Sequence, residues 1–320
     1  ATSINPNYAD AYYNMGNTLK EQGKLEEAVE AYNRVTSIQP NNAAAYNNMG
    51  NALQDQDNLD MAIETYNKAL AISPNYADAS YNLGNTLRKK DKLEEAVEAY
   101  NKVTSIQPNN ADAYNNMGNA LQNQNKLDEA INAYIKAVSI QPNNADAYNN
   151  MGNALKAQSK LKEAINAYKK AISIQPKHAE AYNNISVALQ EQGHLEEAIE
   201  ANKKALEIKP DYTEAHYNMG NALKEQGKLE EAIEAYNKAL AIKPDYADAY
   251  NNMLDILKIY EPKNQHTLNI FKIDKKIKEI STKLFKADSK EEITKRISEA
   301  LTFLEKSNTN FKTPLPQIYK

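Results

Sequence analysis

Eight prolines, Pro6, Pro40, Pro74, Pro108, Pro142, Pro176, Pro210 and Pro244, stand 34 residues apart along the chain. A period of that length marks one supersecondary unit copied in tandem, and such units bury their apolar faces only by stacking. Written from Ala9, the unit reads ADAYYNMGNTLKEQGKLEEAVEAYNRVTSIQPNN; it recurs from 43, 77, 111, 145, 179 and 213, giving seven full repeats over 9–246. The first helix of an eighth repeat spans 247–260, where the pattern is lost. Residues 1–8, ATSINPNY, align with VTSIQPNN at 35–42, so they are expected to be the truncated second helix of a preceding repeat, and the chain a piece of a longer array.

Each unit predicts two helices. In the first, apolar residues fall at unit positions 4, 7, 8 and 11 (Tyr46, Met49, Gly50, Leu53), the i, i+3, i+4, i+7 stripe of an α-helix. The second runs from Leu25 to Ile38, with Leu25, Ala28, Val29, Tyr32 and Val35 on one side. Between them stand Gly23, Asp57, Asp91, Asn125, Ser159, Gly193 and Gly227. Gly, Asn and Asp tolerate the left-handed conformation that ends a helix, so a C-cap is expected there, with Ser159 the poorest fit. Proline then stops the second helix, because it lacks an N–H and disfavours helix in the residue before it. Position 8 is Gly in six of eight first helices, and position 20 is Ala in all seven second helices. Small residues there let the helix axes approach, and the Tyr at position 24 (Tyr32, Tyr66, Tyr100, Tyr134, Tyr168, Tyr236) is expected to fill the gap toward the next unit.

Composition removes several function classes. With no Cys there is no disulfide framework, thiolate metal site or Cys nucleophile. A net charge of -4 is not that of a nucleic-acid binder. Mean hydropathy is -0.75, and no apolar run approaches the ~18 residues of a membrane span. The chain carries no Gly-rich phosphate loop, no Gly-x-Ser-x-Gly and no His–Glu metal pair. His178, His194 and His216 lack the i, i+3 or i+4 spacing of a metal pair, and Asp55, Asp57 and Asp60 lack the Gly and terminal Glu of a calcium loop. The expectation is a cytoplasmic chain without catalysis, cofactor or metal.

The spacing aromatic-x2-[Met/Leu]-Gly-x2-Leu, then Ala-x3-Tyr, then Pro resembles the tetratricopeptide repeat, and it recurs in phase over about 9–260. The resemblance implies an all-α fold, a right-handed superhelix or α-α solenoid of antiparallel helix pairs. First helices would line a concave surface that in this family usually binds a peptide or protein.

Positions 2, 6, 9 and 13 lie opposite the buried stripe of the first helix. Position 6 is Asn in every copy: Asn14, Asn48, Asn82, Asn116, Asn150, Asn184, Asn218 and Asn252. Position 9 is Asn17, Asn51, Asn85, Asn119, Asn153 and Asn221, interrupted by Val187 and Asp255. Position 13 varies freely, so copying alone does not account for the Asn at position 6. Asn is a mediocre helix former, and its amide offers both a donor and an acceptor to a peptide unit. Helix neighbours stack at about 8–10 Å, and a polyproline-II chain advances about 3.1 Å per residue with three residues per turn. One Asn per repeat therefore matches every third residue of an extended ligand. These fourteen Asn are the candidate peptide-binding residues; inter-repeat hydrogen bonding or a solvated face is the competing use. The row is similar to the asparagine ladder of the O-GlcNAc transferase repeats, where it holds substrate backbones. The family's carboxylate clamp for chaperone C-termini does not fit. It needs Lys at position 5, where this chain has Tyr13, Asn47, Tyr81 and Asn115, and a basic position 2, which here is mostly acidic (Asp10, Asp78, Asp112, Asp146, Glu180, Glu214, Asp248). That acidic row favours neutral or basic ligands, or simply complements the helix dipole.

Repeat six departs from the pattern: Ser186 replaces Gly, Val187 replaces Asn and Asn202 replaces Tyr, which predicts a local change of width or pitch. After Tyr260 the balance turns basic, 13 Lys+Arg against 8 Asp+Glu over 260–320. Ile270, Ile273, Ile277, Ile280 and Leu284, and then Ile293, Ile297, Ala300 and Leu304 behind a Ser289…Glu292 capping box, predict C-terminal capping helices over 261–306. Residues 307–320, with Pro314 and Pro316, read as an extended tail. Three functions fit the sequence. The first is a noncatalytic scaffold binding an extended, neutral to basic peptide through the Asn ladder. The others are the substrate-recruiting arm of a larger transferase, and a solenoid that self-associates through its tail or its open N-terminal end.

Overall fold

The computed structural model describes residues 8–257 and residue 259. The first seven residues, the expected capping helices over 261–306 and the tail over 307–320 lie outside the described residues. The chain divides into two compact units, 1–174 and 175–320. In the first, ten helices follow one another: α1 Ala9–Glu21, α2 Leu25–Ile38, α3 Ala43–Asp55, α4 Leu59–Ile72, α5 Ala77–Lys89, α6 Leu93–Ile106, α7 Ala111–Asn123, α8 Leu127–Ile140, α9 Ala145–Ala157 and α10 Leu161–Ile174. The second holds α11 Ala179–Glu191, α12 Leu195–Ile208, α13 Thr213–Glu225, α14 Leu229–Ile242 and α15 Ala247–Leu257. Within each unit every helix packs chiefly against its neighbours in sequence. The architecture is an all-α helical-repeat solenoid. Among the described residues no helix is long and apolar enough to cross a membrane.

The element ends follow from local chemistry. All seven residues expected to cap the first helices have positive φ, from 59° at Asp91 to 80° at Gly193 and Gly227. Ser159 joins them at φ 60°, although a β-carbon there makes the left-handed conformation costly. The chain closes these ends with paired backbone bonds: the Lys24 N–H donates to the Leu19 carbonyl at 2.9 Å, and Gly23 N–H to Lys20 at 2.9 Å. That pairing is a Schellman motif, and it satisfies carbonyls that would otherwise lack partners. Second helices stop two residues ahead of proline. Gln39, before Pro40, sits at φ -126°, ψ 80°, outside the helical region as a pre-proline residue should. First helices open on side-chain caps where the sequence supplies one: Asn42, Asn110 and Asn144 accept from the N–H three residues on. The position-2 acids lie in the first turn of their helices, where they complement the helix dipole.

Within the first unit the core is a strip of small and aromatic residues. In the first unit Ala28, Ala62, Ala96, Ala130 and Ala164 are fully buried, and so are Tyr32, Tyr66, Tyr100, Tyr134 and Tyr168. Each Tyr ring lies on the position-8 Gly of its own helix pair, so it closes the pair from inside. A β-carbon built on Gly118 would stand 2.6 Å from Tyr134 Cε1, and one on Gly50 2.5 Å from Tyr66 Cε1. Glycine is required there by contact with the ring. Fully burying a side chain of that size contributes on the order of 3 kcal/mol.

Candidate functional site

A buried phenol must find a hydrogen-bond partner, or the burial of its hydroxyl works against the fold. The position-9 Asn supplies it. Tyr32 Oη donates to Asn17 Oδ1 at 2.8 Å, Tyr66 to Asn51 at 2.8 Å, Tyr100 to Asn85 at 2.7 Å, Tyr134 to Asn119 at 2.7 Å and Tyr168 to Asn153 at 2.8 Å. In the second unit Tyr236 donates to Asn221 at 2.8 Å. Burial pushes the Tyr32 and Tyr100 hydroxyls up to about 12, and raises Tyr66, Tyr134 and Tyr236 for the same reason.

The position-6 Asn reaches back to the preceding helix pair. Asn48 Nδ2 donates to Tyr13 Oη at 3.0 Å and to Asn17 Oδ1 at 3.1 Å. Asn116 repeats this two pairs on, donating to Tyr81 at 2.9 Å and to Asn85 at 3.1 Å. Where position 5 is Asn, the bond goes to its oxygen: Asn82 to Asn47 at 3.1 Å and Asn150 to Asn115 at 3.2 Å. The second unit contains both forms, Asn218 to Asn183 at 2.9 Å and Asn252 to Tyr217 at 3.1 Å and Asn221 at 3.0 Å. Asn14, which opens the row, is exposed, and Asn184 is half-buried. Both amide hydrogens of Asn48 and Asn116 are therefore committed, whereas Asn82 and Asn150 each place one.

Two parts of this network escaped sequence reasoning. The position-5 residue looked like a mismatch with another binding mode; it is the acceptor that orients the next Asn. The position-5 tyrosines also pack edge-on against the buried ring of their own pair, Tyr13 on Tyr32 and Tyr81 on Tyr100, each with centroids 6.1 Å apart. The chain thus runs from core ring to groove amide: Tyr100 hydroxyl, Asn85 oxygen, Asn116 nitrogen, Tyr81 hydroxyl.

Repeat six solves the same position differently. Ser186 Oγ donates to Asn202 Oδ1 at 2.8 Å, both groups being buried. The histidines near it have local roles. His178 caps α11, its Nδ1 accepting from the Ala181 N–H at 3.2 Å. His194 precedes α12. His216 is buried with Nε2 3.0 Å from the Pro210 carbonyl, and burial lowers its basicity.

Comparison with known proteins supplies the family context. A profile described as "TPR repeat" matches residues 16–57, 50–91, 84–125, 123–159, 152–193, 188–227 and 220–253. A second, described as "Tetratricopeptide repeat", matches 1–30. No curated protein matches the chain. Among solved structures, the chain is similar to a tetratricopeptide repeat protein from Parabacteroides merdae ATCC 43184, with TM-score 0.61 and 16% identity, over 78% of this chain and 98% of that one. It is similar to MamA from Desulfovibrio magneticus RS-1, with TM-score 0.51 and 25% identity, over 53% and 96%. It also matches YrrB, described as a TPR protein with an unusual peptide-binding site, with TM-score 0.49 and 26% identity, over 59% and 97%.

Proposed function

Because the chain belongs to the tetratricopeptide repeat family, whose members are protein-interaction scaffolds, we propose that it is noncatalytic and holds an extended peptide by its backbone along the position-6 Asn row. The observation that carries this reading is the anchoring of Asn48, Asn82, Asn116 and Asn150 through Nδ2 to the preceding helix pair. A side chain tied at its nitrogen has already lost its rotamer freedom, so a ligand bond to its oxygen costs less entropy. The amide then acts as an acceptor for a peptide N–H, Asn48 through the lone pair that its bond from Asn47 Nδ2 at 3.2 Å leaves on the oxygen, and Asn82 and Asn150 keep one hydrogen for a carbonyl. This narrows the bidentate pairing the sequence suggests to an acceptor row with a donor at alternate repeats. Exposed Asp78 and Asp112 at the same helix starts favour a ligand that is neutral or basic.

The test is a peptide-array screen of the full chain beside a variant with Asn82, Asn116 and Asn150 changed to Ala. Each lost bond is worth about 0.5–1.5 kcal/mol, so the triple variant should bind captured peptides at least tenfold more weakly. Unchanged capture by the folded variant would remove the ladder from the account.

A further inference from the structure

Charge is not spread evenly over the repeats. Repeat five, 145–178, carries Lys156, Lys160, Lys162, Lys169, Lys170 and Lys177 against Asp146 and Glu163, six against two, a net of +4. The other six full repeats have nets between 0 and -4, so the excess belongs to one repeat of an otherwise acidic array. Three positions on α10 produce most of it. Position 18 is acidic in every other full repeat (Glu26, Asp60, Glu94, Asp128, Glu196, Glu230) and is Lys162 here. Position 25 is Lys169, where repeats one, two, three and seven have Asn. Position 26 is basic throughout, and in repeats two and seven a Glu one turn earlier neutralises it: Glu64 pairs with Lys68 at 2.7 Å and Glu234 with Lys238 at 2.9 Å. In repeat five that Glu is replaced by Asn166, which leaves Lys170 without its carboxylate. At about 100° per residue, Lys162, Asn166, Lys169, Lys170 and Ser173 share one face of α10. All five are exposed, and Glu163 lies at the edge of that face. Among the described residues none of the three lysines forms an ion pair.

We propose that this lysine face of α10 is a second docking surface, separate from the Asn row on the first helices, and that its partner is an acidic segment of another protein. Lys162 and Lys169 are two helical turns apart, about 10 Å at 1.5 Å per residue. Carboxylates seven residues apart on a partner helix match that distance. A membrane surface fits less well, because the face offers no aromatic or aliphatic side chain to insert. Duplex nucleic acid is a long polyanion that extends beyond one helix width, and it would meet Asp128 and Glu129, exposed at the start of α8. Exposed ion pairs are individually weak and screened by salt, so the contact is reversible and salt-sensitive.

The experiment titrates the full chain into a dye-labelled helical peptide of Ala and Gln that carries three Glu spaced as the three lysines are, read by fluorescence anisotropy. A peptide with Gln for each Glu is the reference. Saturable binding is expected with the Glu peptide alone, weakening at least fivefold as salt rises from about 0.05 to about 0.2 M. Lys162→Glu with Lys169→Asn installs the residues that repeats one and three carry at these positions, so the fold is kept; it should weaken binding at least tenfold. Lys92→Glu with Lys102→Asn makes the same change of charge on α6 and should stay within twofold. The variant with Asn82, Asn116 and Asn150 changed to Ala should bind the Glu peptide as the natural chain does. The proposal is overturned if the Glu peptide does not bind, if the α10 variant binds as the natural chain does, or if the α6 or Asn variant loses as much. Tighter binding of phosphatidylserine vesicles or of duplex DNA than of the Glu peptide would also overturn it, assigning the face to lipid or to nucleic acid.

Discussion

Repeats five and six have the same frame, a 13-residue helix followed by one of 14, yet their centres are built on different principles. Repeat five places Gly152 under the Tyr168 ring and Asn153 on its hydroxyl, and a β-carbon on Gly152 would stand 2.5 Å from the ring. Repeat six has no ring; Ser186 and Asn202 bond to each other, and Val187 stands where the acceptor would be. All three positions change together because each exists for the other two. Remove the ring, and the glycine loses its steric reason and the Asn its hydrogen-bond donor. The frame survives because the flanking Ala198 and Ala205 remain fully buried, as Ala164 and Ala171 are in repeat five.

The largest expected effect comes from forcing half of one solution onto the other. Gly118→Ser places a side chain against the Tyr134 ring and should destabilise the chain by about 1–3 kcal/mol, the range for overpacking a tight core. Adding Asn119→Val and Tyr134→Asn converts the site to the repeat-six form and should recover most of that loss in a denaturant melt. No recovery would mean that the two sets are not interchangeable and the comparison is local to repeat six. A smaller effect is expected from Tyr134→Phe, which keeps the ring and leaves Asn119 without its donor at a cost of about 0.5–1.5 kcal/mol. A melt unchanged by that substitution would show that water replaces the bond at no cost.

The same burial predicts a pH dependence. A phenol whose folded-state value lies above its ordinary 10.0 holds its proton more tightly when folded. Its contribution is complete below pH 10 and is lost as pH rises toward about 12, because the unfolded chain ionises first. Denaturant midpoints should therefore fall between pH 10 and pH 12. The fall should be shallower in a Tyr32→Phe, Tyr100→Phe double variant, whereas equal slopes would contradict the burial of these hydroxyls.

The fold was legible because its signals are local and repeated. Proline spacing gave the period, the Gly, Asn and Asp of the turns gave the helix ends, and the apolar stripe gave the packing face. Ser159 shows how far repetition outweighs propensity, since it adopts the same φ of 60° as Asn125 with a poorer residue. The site was legible only as a row of Asn. What each amide does depends on partners far along the chain: Asn116 bonds Tyr81 and Asn85, 35 and 31 residues earlier. That distance is one repeat plus or minus a fraction of a turn, so it appears only once the helices are stacked. The Gly–Tyr–Asn set was visible as three separate regularities. Its unity comes from geometry inside the pair, where position 24 crosses positions 8 and 9.

The proposed grip of the Asn row on peptide backbone makes binding indifferent to side chains. The direct measurement compares affinities for one captured peptide, its sequence-scrambled form and an analogue N-methylated at every third residue. Backbone gripping predicts that scrambling changes affinity less than threefold while N-methylation, which removes the N–H offered to each Asn oxygen, weakens binding tenfold or more. Binding that survives N-methylation and is lost on scrambling would contradict the account.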